Sequence, residues 1–197
     1  MKRPTLLFLT LFLVLSCGLP ESAEPMPTSS FSLPPDGCVS SEATQKDIDR
    51  VLSITEGVLD PDEWERSYVV MENRVAVTWS SVAWSAVIYL EALIFPCGYD
   101  ETTLDEYFSA GNWSTILSNY QGHESTGECR SADGARLYQF RALSQGVEYH
   151  IRYWAQGDTA ARVIVLMAVF PVGSEDRLDE YSSRLFPRLD SCEQEKP

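Results

Sequence analysis

Two histidines and five cysteines are the residues from which this 197-residue chain could most readily build a reactive centre. His150 stands in the run Val147-Glu-Tyr-His-Ile-Arg-Tyr-Trp-Ala155, where polar and apolar residues alternate. Alternate side chains of a strand share a face. Glu148, His150, Arg152 and Trp154 are therefore expected on one side, and Val147, Tyr149, Ile151 and Tyr153 on the other. A row holding an imidazole, a guanidinium, a carboxylate and an indole suits a ligand or a partner protein. The same row is also what the wet side of an antiparallel sheet looks like, with Glu148 neutralising Arg152. No motif turns it into catalytic machinery. Gly122-His-Glu-Ser-Thr-Gly127 lacks the spacing of a G-x-S-x-G nucleophile elbow and reads as a loop. There is no H-E-x-x-H and no phosphate-cradling glycine pattern. Asp60-Pro-Asp-Glu-Trp-Glu65 gathers carboxylates without the glycine and the terminal glutamate spacing of an EF-hand loop, so it reads as a solvated turn. The expectation is no catalytic residue, no metal ligand and no cofactor.

The cysteines point to a cellular address. The chain opens MKRPTLLFLTLFLVLSC, with Lys2 and Arg3 before an apolar core from Leu6 to Leu15. That core is too short to span a bilayer, which takes roughly twenty residues, and has the layout of a secretory signal. Val14-Leu15-Ser16-Cys17 resembles the lipobox of bacterial lipoprotein precursors, which implies cleavage before Cys17 and acylation of its thiol. The other reading is an ordinary signal peptide cut after Ser16 or within Gly18 to Ala23, which would give a secreted protein. Residues 1–16 are expected as signal peptide and 17–37, rich in Pro and Ser, as a tether that cannot bury enough surface to offset its ordering entropy. Residues 38–192 are expected to form a single globular domain and 193–197 a tail. With Cys17 lipidated, Cys38, Cys97, Cys129 and Cys192 form an even set, and two disulfides are expected with three connectivities open. Position along the chain favours Cys38–Cys192, joining the ends, and Cys97–Cys129.

The elements that must position the His150 row come in two similar halves. Ser41 to Gly57 has helical spacing, and Arg66–Met71, Arg74–Ser80 and Ala86–Phe95 read as strands, with Glu72-Asn73 as a hairpin turn. Helical segments follow, one from Thr102 or Thr103 through Leu104, Tyr107 and Phe108, the next from Trp113 to Tyr120. Arg136–Leu143, Val147–Ala155 and Ala161–Phe170 repeat the trio, with turns at Ser144-Gln145-Gly146 and Gln156-Gly157-Asp158-Thr159. A helix capped by Ser174 closes the order. FPCGYDETTLDEY, from Phe95, returns as FPVGSEDRLDEY from Phe170, the phenylalanines 75 residues apart and the leucines, Leu104 and Leu178, 74 apart. Pro ends a ladder and Gly permits the turn after it. An internal duplication is the expectation. The fold class is α+β, a mainly antiparallel sheet of two βββα halves in the order α-βββ-α-βββ-α, helices on one face. The element order over 136 to 187 faintly resembles PsbP-like and Mog1-like domains, which implies a strand meander before a C-terminal helix and no particular site.

Against 15 basic residues stand 29 acidic ones, a net charge of −14. Phosphate binding needs clustered Lys and Arg, so nucleic acid is not an expected partner. The expected function is a non-catalytic binding or interaction module held outside the cytoplasm on a bacterial membrane by its N-terminal lipid. Its partner would be a protein or a small molecule. The alternative is a carrier of an apolar ligand in a cavity lined by Trp79, Trp84, Tyr89 and Tyr153. A hydrolase using a Ser or Asp with His123 or His150 ranks last.

Overall fold

The computed structural model describes residues 44–55, 59–71, 74–131 and 134–185. The signal, the tether, Cys17, Cys38, Cys192, the Glu72-Asn73 turn and the tail lie outside them. Helix α1 (Gln45–Thr55) precedes strands β1 (Glu65–Met71), β2 (Arg74–Ser81) and β3 (Ala86–Ile94). Two short helices, α2 (Glu101–Tyr107) and α3 (Ala110–Ile116), lead to β4 (Gly122–Arg130), β5 (Arg136–Ser144), β6 (Val147–Thr159) and β7 (Arg162–Pro171), and α4 (Glu175–Leu185) follows. All seven strands join one antiparallel sheet in the order β1-β2-β3-β7-β6-β5-β4. The class is α+β, as the hairpin-length turns require.

The third strands of the two trios meet at the centre, Leu90 of β3 opposite Leu166 of β7. Both are buried from both sides, which is why each reads as a continuous apolar run. The expectation of helices on one face is overturned. Val51 of α1 and Leu178, Tyr181 and Leu185 of α4 pack on Ile88, Leu90, Leu166 and Phe170. Leu104, Tyr107, Phe108 and Trp113 of the α2–α3 segment pack on the opposite face, against Tyr138, Phe140, Tyr153 and Val165. The reason is arithmetic. Facing residues of paired strands share a side, so Leu90 and Leu166, an even number of residues apart, face alike; the phenylalanines, an odd number apart, then fall on opposite sides, Phe95 in the α2–α3 core and Phe170 in the α1–α4 core. The helices after them leave on opposite sides. Locally the two turns do match: Gly98 and Gly173, third after their phenylalanines, both have positive φ, +78° and +94°.

Two further expectations need correction. Gly122–Arg130 is strand β4, not a loop, paired with β5 from Gly122–Leu143 to Arg130–Arg136 across a bulge between Ser125 and Gly127. The second half therefore has four strands. Gln156-Gly157-Asp158-Thr159 does not turn; β6 runs on to Thr159. Gly157 is where Tyr99 crosses the strand, and a Cβ there would lie 2.5 Å from the Tyr99 Oη.

Polar clamps fix the layers. Asp47 of α1 pairs with Arg162 at the start of β7, and Arg50 reaches Asp158 of β6 at 2.5 Å. Asp100 caps α2 in a capping box with Thr103, in place of the expected Thr102 or Thr103. On the α2 side the buried Arg136 takes Glu101 at 2.5 Å and Asp105 at 2.8 Å.

Candidate functional site

Clean alternation in Val147–Ala155 places Glu148, His150, Arg152 and Trp154 on the α1–α4 face of β6, on one side as expected. That side is not left open. Helix α4 returns antiparallel to β7 and lies along it, bringing Glu175 and Asp179, one helical turn apart, over the row. His150 Nε2 lies 2.8 Å from Glu175 Oε1, and Arg152 Nη1 lies 2.5 Å from Asp179 Oδ1. Arg152 is thus neutralised by the helix, not by Glu148, whose carboxylate stands 3.9 Å from Arg141. Trp154 leaves the group altogether. It is 4% exposed and forms part of the core under α4.

Leu137 of β5 and Cys129 of β4 still join the core under α4, but beside the first turns of that helix the sheet emerges at Glu124–Thr126 and Gln139–Arg141. The result is a groove of about 500 Å³. Its floor is Gln139 and Arg141 of β5 with His150 and Arg152 of β6; one wall is Glu175 and Leu178 of α4, the other Glu124 to Thr126 of β4. The Glu175 carboxyl is held below its ordinary range first by its own backbone N–H and that of Gly173, then by His150. The groove thus offers both signs of charge, amide and hydroxyl groups, and one apolar side chain, within a few ångströms. Such a lining suits a polar, hydrogen-bonding ligand such as a peptide segment. Two of the four proposed residues, His150 and Arg152, lie in it.

Sequence reasoning missed the wall residues. Glu175, and Asp179 which holds Arg152 from outside the groove, carried a signal, being four apart on the polar shoulder of a helix whose Leu178, Tyr181 and Leu185 face inward. Glu124 carried none, since its strand exists only through pairing with β5.

The other expected constellations do not assemble. His123 packs edge-on against Phe140, on the α2–α3 side, and so cannot act with His150 on the opposite face. Ser125 and Thr126 border the groove, yet among the described residues no serine or threonine hydroxyl hydrogen-bonds to His150. Trp79 and Trp84 belong to the α1–α4 side and Tyr89 and Tyr153 to the other, so these four do not line one cavity. Trp84 lies beneath the Arg177 guanidinium, 4.5 Å from its ring centre. Asp60 to Glu65 forms a turn before β1 in which Asp60 Oδ1 accepts the Asp62 N–H. Among the described residues no cluster of three or more His, Cys, Asp or Glu side chains could hold a metal ion, and no helix is long and apolar enough to cross a membrane.

No protein-family model matches the chain, and no curated protein matches it significantly.

Proposed function

We propose that the protein is an exported, non-catalytic binding module, anchored to a bacterial membrane by lipid on Cys17, whose recognition surface is the groove beside α4. The groove carries this reading: it is a concave, polar surface built on rigid elements, with Arg152 and His150 fixed by Asp179 and Glu175 and with Gln139 and Arg141 open to a ligand. Preorganised polar groups of this kind give orientation and specificity. The partner is a polar small molecule or a peptide segment of an envelope protein. Photo-crosslinkers placed at Gln139 and Arg141, with one at the exposed Asp49 of α1 as control, test it in intact cells. A partner captured from both groove positions and not from Asp49 is the expected result; equal labelling at all three, or none, refutes it.

Two disulfides belong to the same proposal. The disulfide-bonded state of Cys97 and Cys129 supports it. Their positions argue against bonding to each other. Cys97 lies between Phe95 and Tyr99, whose N–H groups bond Ala161 and Ala160 at the β6–β7 turn. Cys129 is opposite Leu137, itself opposite Trp154, six residues back along β6 from that turn. At ~3.3 Å per residue and ~4.8 Å per strand the separation is roughly 20 Å, against the ~7 Å that a disulfide spans between Cα atoms. We therefore assign the bridges as Cys38–Cys97 and Cys129–Cys192, in place of the ends-together pairing. The start of α1 is clamped beside Cys97 through Asp47 and Arg162, and Leu185, ending α4, shares a core with Cys129. A non-reducing peptide map joining those pairs is expected, and a peptide linking Cys97 to Cys129 refutes the assignment.

A further inference from the structure

The two edges of the sheet are built differently. β4 carries the devices that discourage further pairing: a bulge, Gly122 and Gly127, and the charges Glu124, Glu128 and Arg130. β1 carries almost none. It pairs with β2 in unbroken register from Glu65–Ser80 to Met71–Arg74, and it holds no proline, glycine or lysine. Every residue from Glu65 to Val70 is exposed, with Tyr68 at 63%, Val69 at 43% and Val70 at 47%. Tyr68 and Val70 sit opposite Val77 and Val75, so they continue the apolar α1–α4 face as a ledge past the cover of α1. Such an edge offers unpaired N–H and C=O groups to an incoming strand.

The charge around this edge selects its occupant. The turn leading into β1 exposes Asp60, Asp62 and Glu63, and Glu65 opens the strand. Arg66 follows Glu65 on the strand, and Arg184 stacks on the Tyr181 ring whose hydroxyl meets Glu63, so among the described residues acids still outnumber bases here. In a chain of net charge −14, a second copy is repelled, whereas a cationic end on an extended apolar segment is attracted. Every pairing in the sheet is antiparallel, and an added antiparallel strand places its C-terminal end beside Glu65.

We propose that β1 is a docking edge for an extended segment of a partner protein, one with alternating apolar residues followed by Lys or Arg, which adds to the sheet as an eighth strand. This site is separate from the groove and does not depend on it. The probe is a fluorescent peptide, Val-Thr-Val-Thr-Val-Lys-Lys, titrated into the natively purified protein with backbone amide resonances followed. Saturable binding with shifts and hydrogen-exchange protection confined to β1 is expected. A twin ending Glu-Glu and a twin with Pro at its central Val should each bind at least tenfold more weakly, and Val69→Asp should weaken the parent peptide at least fivefold with circular dichroism unchanged. Equal binding of the three peptides, binding of none, or protection at β4 overturns the proposal. So does a dimer in sedimentation that Val69→Asp dissolves, since the edge would then belong to a second copy.

Discussion

A buried ion pair in the centre of the sheet gives a sharp test of how the fold is held. Glu91 lies on β3 between Ala76 of β2 and Val165 of β7, its side chain 7% exposed on the α2–α3 face. Arg74, diagonal to it at the start of β2, donates from Nε and Nη2 to both carboxylate oxygens, and its side chain is 20% exposed. Both charges are desolvated, so removing one partner is costly, about 3–5 kcal/mol, while replacing both by apolar groups is near neutral or stabilising. The two single variants should differ. Arg74→Met strands a carboxylate deep in the sheet and should cost the full ~3–5 kcal/mol. Glu91→Leu leaves a long cation at a strand end from which it can reach water, so it should cost roughly half as much. Arg74→Met with Glu91→Leu should lie within about 1 kcal/mol of the parent. At ~2–4 °C per kcal/mol for a chain of this size, Arg74→Met lowers Tm by roughly 6–20 °C. Urea unfolding followed by tryptophan emission measures the cycle. A loss below ~1 kcal/mol for Arg74→Met, or a double variant equal to the sum of the singles, would refute the reasoning.

The remaining expectations concern other joints. Gly157→Ala should cost about 1–3 kcal/mol by overpacking against Tyr99, and Tyr99→Phe should restore most of it, since the next ring atom stands 3.6 Å from the new methyl; no rescue in the denaturation midpoint contradicts the crossing. For Asp47, burial opposes ionisation, but hydrogen bonds from Thr44 and the charge of Arg162 outweigh it and set its carboxyl below the ordinary value. That stability is present above the unfolded pKa and lost as pH falls through the folded one, so Asp47→Asn should destabilise at pH 7, and its gap from the parent should begin to close only as an acid titration falls below about pH 4. Phe170→Ala, removing a ring stacked on Tyr181 and edge-on to Trp64, should cost about 3–5 kcal/mol by chemical denaturation. Val82→Ala, at a site 95% exposed, should change stability by less than ~0.5 kcal/mol in the same assay.

How far the sequence could be read depended on whether a signal was local. Six of seven strands announced themselves by alternation or by an apolar run, and Pro and Gly marked the ends of β3 and β7. β4 did not, because Gly122–Arg130 is polar and glycine-bearing and is a strand only by virtue of β5. The helix faces went astray because hairpin-length turns carry no sign of side, and the register of β3 on β7 sets the repeated phenylalanines on opposite faces. In the groove, β6 was legible as a row, but whether that row faced water depended on where α4 packs. Trp154 accordingly proved to be core, and Glu91, a lone acid in an apolar strand, proved to be paired with a residue seventeen positions earlier.

The account stands most directly on the mature N-terminus of the protein taken from its own membrane fraction. Mass spectrometry of the first peptide should find it beginning at Cys17 and heavier by a diacylglyceryl group, with residues 1–16 gone. A chain that keeps those residues, or begins elsewhere with an unmodified thiol, would contradict the anchored, exported module proposed above.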